Sequence, residues 1–233
     1  MNDVPALVPA PELAARSTID AAGESPEYRR ARTALLAEEI TLRRQIERVA
    51  RQRRALPAGP VVARDYVFDG VEGPVSLADL FGPHDTLIVY KFMYGPERAR
   101  PCPMCTAAMS AWDGNADHIG QRASLVMVGR SPFRRLAQFA TERGWKHLRL
   151  YADESGDYTR DFVHPEDADV PGLNVFTRRD GTIRHFWQDE MGQTADPGED
   201  PRGAPDLMPL WNFLDLTPEG RDPKWYPSLA YPG

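Results

Sequence analysis

Residues 86–105 read TLIVYKFMYGPERARPCPMC, and how they are taken decides the fold. The first nine, 86–94, are nearly all apolar, the pattern of a strand buried on both faces at the centre of a sheet. A polar loop, GPERARP, leads to the only two cysteines of the chain, Cys102 and Cys105. Pro103 suits the first position of a helix, where its missing N–H would have no helical partner. In that helix Cys105, Ala108, Met109 and Trp112 share one face. Cys102 thus stands at a helix N-terminus, whose unpaired N–H groups can lower a thiol's pKa from its free value of about 8.5.

Outward from this point, strands and helices alternate. Upstream, ARDYVFDG (63–70) reads as a strand closed by Asp69-Gly70, and Ser76 to Asp79 has the form of a capping box opening the short helix SLADLF (76–81). Downstream come a second buried strand, SLVMVGRS (124–131), a helix over PFRRLAQFATERGW (132–145) and a further strand, HLRLYAD (147–153). The stretch GLNVFTRRDGTIRHFW (172–187) is a hairpin turning at Asp180-Gly181, and a last helix is expected around DLMPLWNFL (206–214). The acidic run 154–170 reads as a loop on the proline side of the cysteines. This order predicts an α/β domain whose mostly parallel sheet is covered by helices and finished by antiparallel strands.

Three chemistries fit two neighbouring cysteines: a redox pair, half a metal site, or two buried thiols without chemistry. A Cys-x-x-Cys pair behind a strand in a βαβ context favours the first, with Cys102 as nucleophile and Cys105 one turn on. Zinc needs four ligands as a rule; there is no second cysteine pair, and His118, His147, His164 and His185 show no paired spacing, so no metal is expected. Inert burial stays open, since cysteine is often simply a small core residue.

Residues 27–56 are of another kind. They hold nine arginines against four glutamates, a net of +5 that leaves −11 on the rest of a chain whose total is −6. The segment has no Gly or Pro, and apolar residues recur at Leu35, Leu36, Ile40, Leu42, Ile46 and Val49, so it is read as a basic amphipathic helical arm. Two uses are expected, a homodimer through this helix or a solvated helix lying on the protein's own acidic domain; no aromatic residues interleave the arginines, which argues against nucleic acid. Residues 1–26 mix Pro, Ala and small polar residues without period and read as a mobile or extended tail, leaving 57–233 as the main domain.

The chain of 233 residues has 42% hydrophobic and 27% charged residues, ordinary for a soluble globular protein. No run approaches the ~20 apolar residues that span a bilayer, so no membrane partner is expected. The N-terminus lacks a basic start followed by an apolar segment, so no secretory signal is read and the cytoplasm is the expected compartment.

Several blocks resemble one family: 55–97 (ALPAGPVVARDYVFDGVEGPVSLADLFGPHDTLIVYKFMYGPE), CPMC, VGRSPFRRLAQFATERGW, VPGLNVFTRRDGTIRHFW and NFLDLTPEGR. Together they are similar to the thioredoxin-like family catalogued as domain of unknown function 899, described there as a predicted dithiol–disulfide oxidoreductase. The resemblance implies a thioredoxin-like fold with Cys102 and Cys105 as the redox pair, exchanging with a disulfide-containing protein or a small thiol and needing no cofactor. It also implies three supporting positions. Pro171 would be the cis-proline facing the cysteines. Lys91 would take the place of thioredoxin's buried acid, stabilising the Cys102 thiolate or pairing with an acid of its own. Trp112 would shield the disulfide or serve as core. The opening of the domain also resembles the peroxiredoxins, the alternative being a thiol peroxidase. Those proteins carry Thr or Ser three residues before the peroxidatic cysteine, whereas here Ala99 precedes Cys102 and Cys102 precedes Cys105. The further alternative is a non-enzymatic, dimeric binding module whose cysteines sense redox state or are inert.

Overall fold

The computed structural model describes residues 7–166 and 168–190, together with 209, 216, 228 and 229. The chain divides into two compact units, Met1–Pro57 and Ala58–Gly233.

In the first unit the arginine-rich segment forms one helix, α2 (Pro26–Arg54), opened by the Ser25 hydroxyl accepting from the Tyr28 N–H and by Pro26 in the first turn. The tail before it contains α1 (Ala10–Ala15), which corrects the expectation of a mobile or extended segment. Its cause is side-chain packing: Ala10 and Ala14 bury against Ala37 and Ile40, with Leu13 and Leu36 at the margin. Arg44 also donates to the Val8 carbonyl at 2.7 Å. The other side of α2 leaves Tyr28, Leu35, Leu42, Ile46 and, just beyond its end, Leu56 exposed.

Among the described residues the second unit forms a seven-stranded mixed sheet. Its strands are β1 (Val67–Gly70), β2 (Gly73–Ser76), β3 (Thr86–Phe92), β4 (Ser124–Gly129), β5 (Arg149–Ala152), β6 (Gly172–Arg179) and β7 (Thr182–Gln188), in the order β2-β1-β5-β4-β3-β6-β7. Only β3–β4 and β4–β5 pair parallel; β1–β2, β1–β5, β3–β6 and β6–β7 pair antiparallel, so the sheet is mixed and not the mostly parallel one expected, the two hairpins supplying its outer strands. The helices between them are α3 (Leu77–Leu80), α4 (Pro103–Asp113), α5 (Ala116–Ile119), α6 (Phe133–Arg143) and α7 (Asp157–Phe162).

Most of this order follows the sequence patterns. Ser76 and Asp79 close the capping box at α3, β4 is buried along its whole length, and Asp180 and Gly181 both take positive φ in the hairpin. Two elements differ. The expected single strand at 63–70 is half of a β1–β2 hairpin, and the acidic run carries α7 after a left-handed Gly156. The helix expected around 206–214 lies almost wholly outside the described residues.

The sheet separates two cores, which decides what each β3 side chain can reach. One contains Tyr90, Phe92, Cys102, Cys105, Met109, Met127, Leu136 and Phe139. The other contains Leu87, Val89, Val126, Val128, Phe68, Leu80, Tyr158 and Phe176. Alternation along β3 therefore sends Tyr90 and Phe92 toward α4, and Leu87, Val89 and Lys91 to the opposite face.

Candidate active site

The cysteines sit where β3 hands over to α4. Cys102 is the N-cap of α4 with extended backbone and Pro103 is its first residue, as the sequence predicts. The Cys102 carbonyl accepts from the Thr106 N–H at 3.0 Å and from the Thr106 hydroxyl at 2.9 Å, fixing the first turn. Just past the end of β3, the backbone of Met93 holds both cysteines: its carbonyl accepts from the Cys102 N–H at 3.1 Å, and its peptide group hydrogen-bonds the Cys105 thiol.

Neither cysteine is in a disulfide, their thiols are hydrogen-bonded to each other, and they lie 3.5 Å apart. A disulfide bond of ~2.05 Å is a short movement away. The Cys102 thiol beside it and then burial push the Cys105 thiol well up; the Tyr90 hydroxyl and the Met93 backbone pull it the other way. Cys102 is 6% exposed and Cys105 4%, so a helix N-terminus does not bring the Cys102 thiol into open solvent here. The 94–101 loop leading to them is held by Arg135, which donates to the carbonyls of Pro96 and Arg98, and by Ser131, which donates to that of Gly95.

The supporting positions divide. Trp112 packs edge-on against Tyr90, ring centroids 5.2 Å apart at 79°, beside the pair. Lys91 is fully buried on the far face of the sheet and pairs with Asp169 at 2.8 Å. Of its two expected uses, the structure gives the acid partner. Burial lowers its pKa, Asp169 opposes this, and the field of Cys105 is the weakest influence on it. Asp169 also accepts from the Gly95 N–H at 3.0 Å and pairs with Arg98, so it ties the 154–170 run to the loop that delivers Cys102. Burial works against the Asp169 carboxylate, but Lys91, Gly95 and Arg98 more than offset it and hold its pKa below the ordinary value.

Pro171 lies one residue before Gly172, which pairs with Lys91 on β3. Its peptide bond is trans, since there is no cis bond among the described residues, and this corrects the expected cis-proline. The bend is made upstream, where the Val170 N–H donates to the Ala168 carbonyl at 2.8 Å; the chain then enters β6 extended and nothing demands the costlier isomer.

Sequence reasoning missed Tyr90 and Asp169. The first had a signal: a hydroxyl in an apolar strand, one residue out of phase with Lys91 and hence on the cysteine face. The second had none, being one carboxylate among several in a polar run.

Among the described residues no group of three or more His, Cys, Asp or Glu is placed to hold a metal ion. The family model described as "Bacterial protein of unknown function (DUF899)" matches residues 18–231. The chain belongs to this family. Its second unit is a mixed sheet with helices between the strands, and an N-terminal helix covers 26–54. No curated protein sequence matches the chain. Solved structures similar to this DUF899 chain match it at low identity and with TM-scores under 0.5. A hypothetical protein from Sinorhizobium meliloti is 18% identical over 64% of this chain and 79% of its own, with a TM-score of 0.37. An exposed lipoprotein thioredoxin from Streptococcus pneumoniae is 16% identical over 60% and 94%, with a TM-score of 0.40. The peroxiredoxin PrxQ of Xylella fastidiosa is 11% identical over 57% and 84%, with a TM-score of 0.42. No helix among the described residues of this DUF899 chain is long and apolar enough to cross a membrane.

Proposed function

We propose that the protein is a dithiol–disulfide oxidoreductase. The observation that carries this reading is the pair itself: Cys102 capping a helix at the end of a central strand, with the Cys105 thiol hydrogen-bonded to it at 3.5 Å. Cys102 thiolate attacks one sulfur of a substrate disulfide, forming a mixed disulfide and releasing the first thiolate. Cys105 then attacks Cys102, the Cys102–substrate bond breaks, the second thiol leaves, and the protein holds a Cys102–Cys105 disulfide. Two electrons pass from the dithiol to the substrate, and the steps need neither metal nor organic cofactor. The substrate is a disulfide-bearing protein or small molecule that reaches Cys102 through its small exposed edge.

Cys105→Ser should accumulate mixed disulfides, because attack proceeds and resolution is gone; Cys102→Ser should accumulate almost none. Equal trapping by both, or none by either with no disulfide-reductase activity in the wild type, removes the reading. The burial of both thiols favours one other reading, inert core cysteines, and this is the outcome in which neither variant traps.

The partner of the arm is a second copy. Tyr28, Leu35, Leu42, Val49 and Leu56 follow one another at intervals of seven, the spacing of a two-helix seam, and all but Val49 are exposed.

A further inference from the structure

We infer that Tyr90 is a further catalytic residue, whose hydroxyl donates to Cys105 Sγ and holds negative charge on that sulfur while Cys105 resolves the mixed disulfide. This rests on the dithiol reading above and assigns a residue to its second step.

Tyr90 is one of three consecutive β3 side chains facing α4, and its companions Ile88 and Phe92 are pure hydrocarbon. It is 4% exposed, and a phenol brought so far out of water costs stability unless its hydroxyl is bonded. The hydroxyl bonds the Cys105 thiol. The ring packs edge-on against Trp112, seven residues beyond Cys105 on α4, with centroids 5.2 Å apart. The Met93 backbone reaches the same sulfur from the end of β3. Two polar groups therefore converge on Cys105, and both favour its ionised form, although Cys102 and burial outweigh them in the reduced pair.

The step balances without any further reactant. Cys105–SH and Cys102–S–S–R give Cys102–S–S–Cys105 and RSH, the Cys105 proton ending on the departing thiolate. Tyr90 remains a phenol throughout. Its hydrogen bond matters most once Cys102 is in the mixed disulfide, because Cys102 then carries no charge to oppose ionisation of its neighbour.

The test is stopped-flow mixing of the full chain with one equivalent of the chromogenic disulfide dithiobisnitrobenzoate, which releases one coloured thiolate when Cys102 attacks and a second when Cys105 resolves. Tyr90→Phe keeps the ring against Trp112 and removes only the donor. Losing one hydrogen bond to a charged group raises the thiol pKa by an equilibrium factor of about ten; the gain in nucleophilicity returns about half of this on a logarithmic scale. The second phase should slow about threefold at neutral pH and run about threefold faster than wild type above the Cys105 pKa, the two profiles crossing. The first phase should be unchanged and reports intact packing in the same trace. A second phase identical to wild type, or slowed by one factor at every pH, or slowed together with the first, overturns the role of Tyr90. Cys105→Ser separates this from the parent reading: it should show the first phase alone, and absence of the first phase there means that dithiol exchange itself is wrong.

Discussion

Replacing Asp169 by asparagine leaves the Lys91 ammonium in the core without its counter-charge. Lys91 is fully buried and cannot turn to water, so the loss should be about 3 kcal/mol, read as a shift of the urea midpoint. The same pair sets an acid limit. The Asp169 pKa is depressed in the folded state, so its contribution is whole above the unfolded carboxylate value of about 3.9 and is lost as pH falls through the folded value. Wild type should therefore lose stability in that acid window more steeply than Asp169→Asn, measured by urea titrations at stepped pH. Lys91 itself was legible as an anomaly, a charge inside an apolar strand. Its partner was not, because Asp169 lies 78 residues away and nothing local marks it. The position of the nucleophile was legible for the opposite reason: proline behind a cysteine is a purely local signal for the start of a helix.

At the scale of elements, local chemistry was readable and long-range pairing was not. The capping box at Ser76 and the hairpin at Asp180-Gly181 stand as read, since neighbouring residues suffice to make them. The β2 strand escaped notice because Gly73 and Pro74 are poor strand formers; it exists through pairing with β1. The trans bond at Pro171 likewise depends on where the upstream bend falls, which no dipeptide records. A related case is the segment after the arm, which lies along β7: the Pro60 carbonyl accepts from the His185 N–H at 3.0 Å, and the Gly59 carbonyl from Arg184 at 2.9 Å. A Cβ on Gly59 would stand 1.7 Å from the His185 carbonyl oxygen, a backbone atom that cannot swing aside. Gly59→Ala should force the segment off the sheet edge and lower stability by about 1–3 kcal/mol, with loss of amide-exchange protection at His185 as the local readout.

For the whole molecule, charge gives the arm a distinctive signature. Two copies of a segment carrying +5 repel, so a dimer built on the Tyr28, Leu35, Leu42 and Leu56 seam should tighten as salt rises. Binding to nucleic acid would weaken steeply instead. Sedimentation of the full chain across a salt series should show a dimer whose population grows with ionic strength, and Leu35→Asp with Leu42→Asp should leave a monomer with an unchanged second unit. A chain that is monomeric at every salt concentration removes the dimer.

The central claim is that Cys102 and Cys105 form one reversible two-electron couple, and a redox titration tests it most directly. The full chain is equilibrated in buffers of graded reduced-to-oxidised dithiothreitol, quenched with acid, alkylated and weighed by mass spectrometry. One transition is expected, with loss of two hydrogens per chain and about 30 mV per tenfold change in ratio, the linked peptide joining Cys102 to Cys105. Thiols that stay reduced across the series, or that oxidise only between chains, would contradict the account.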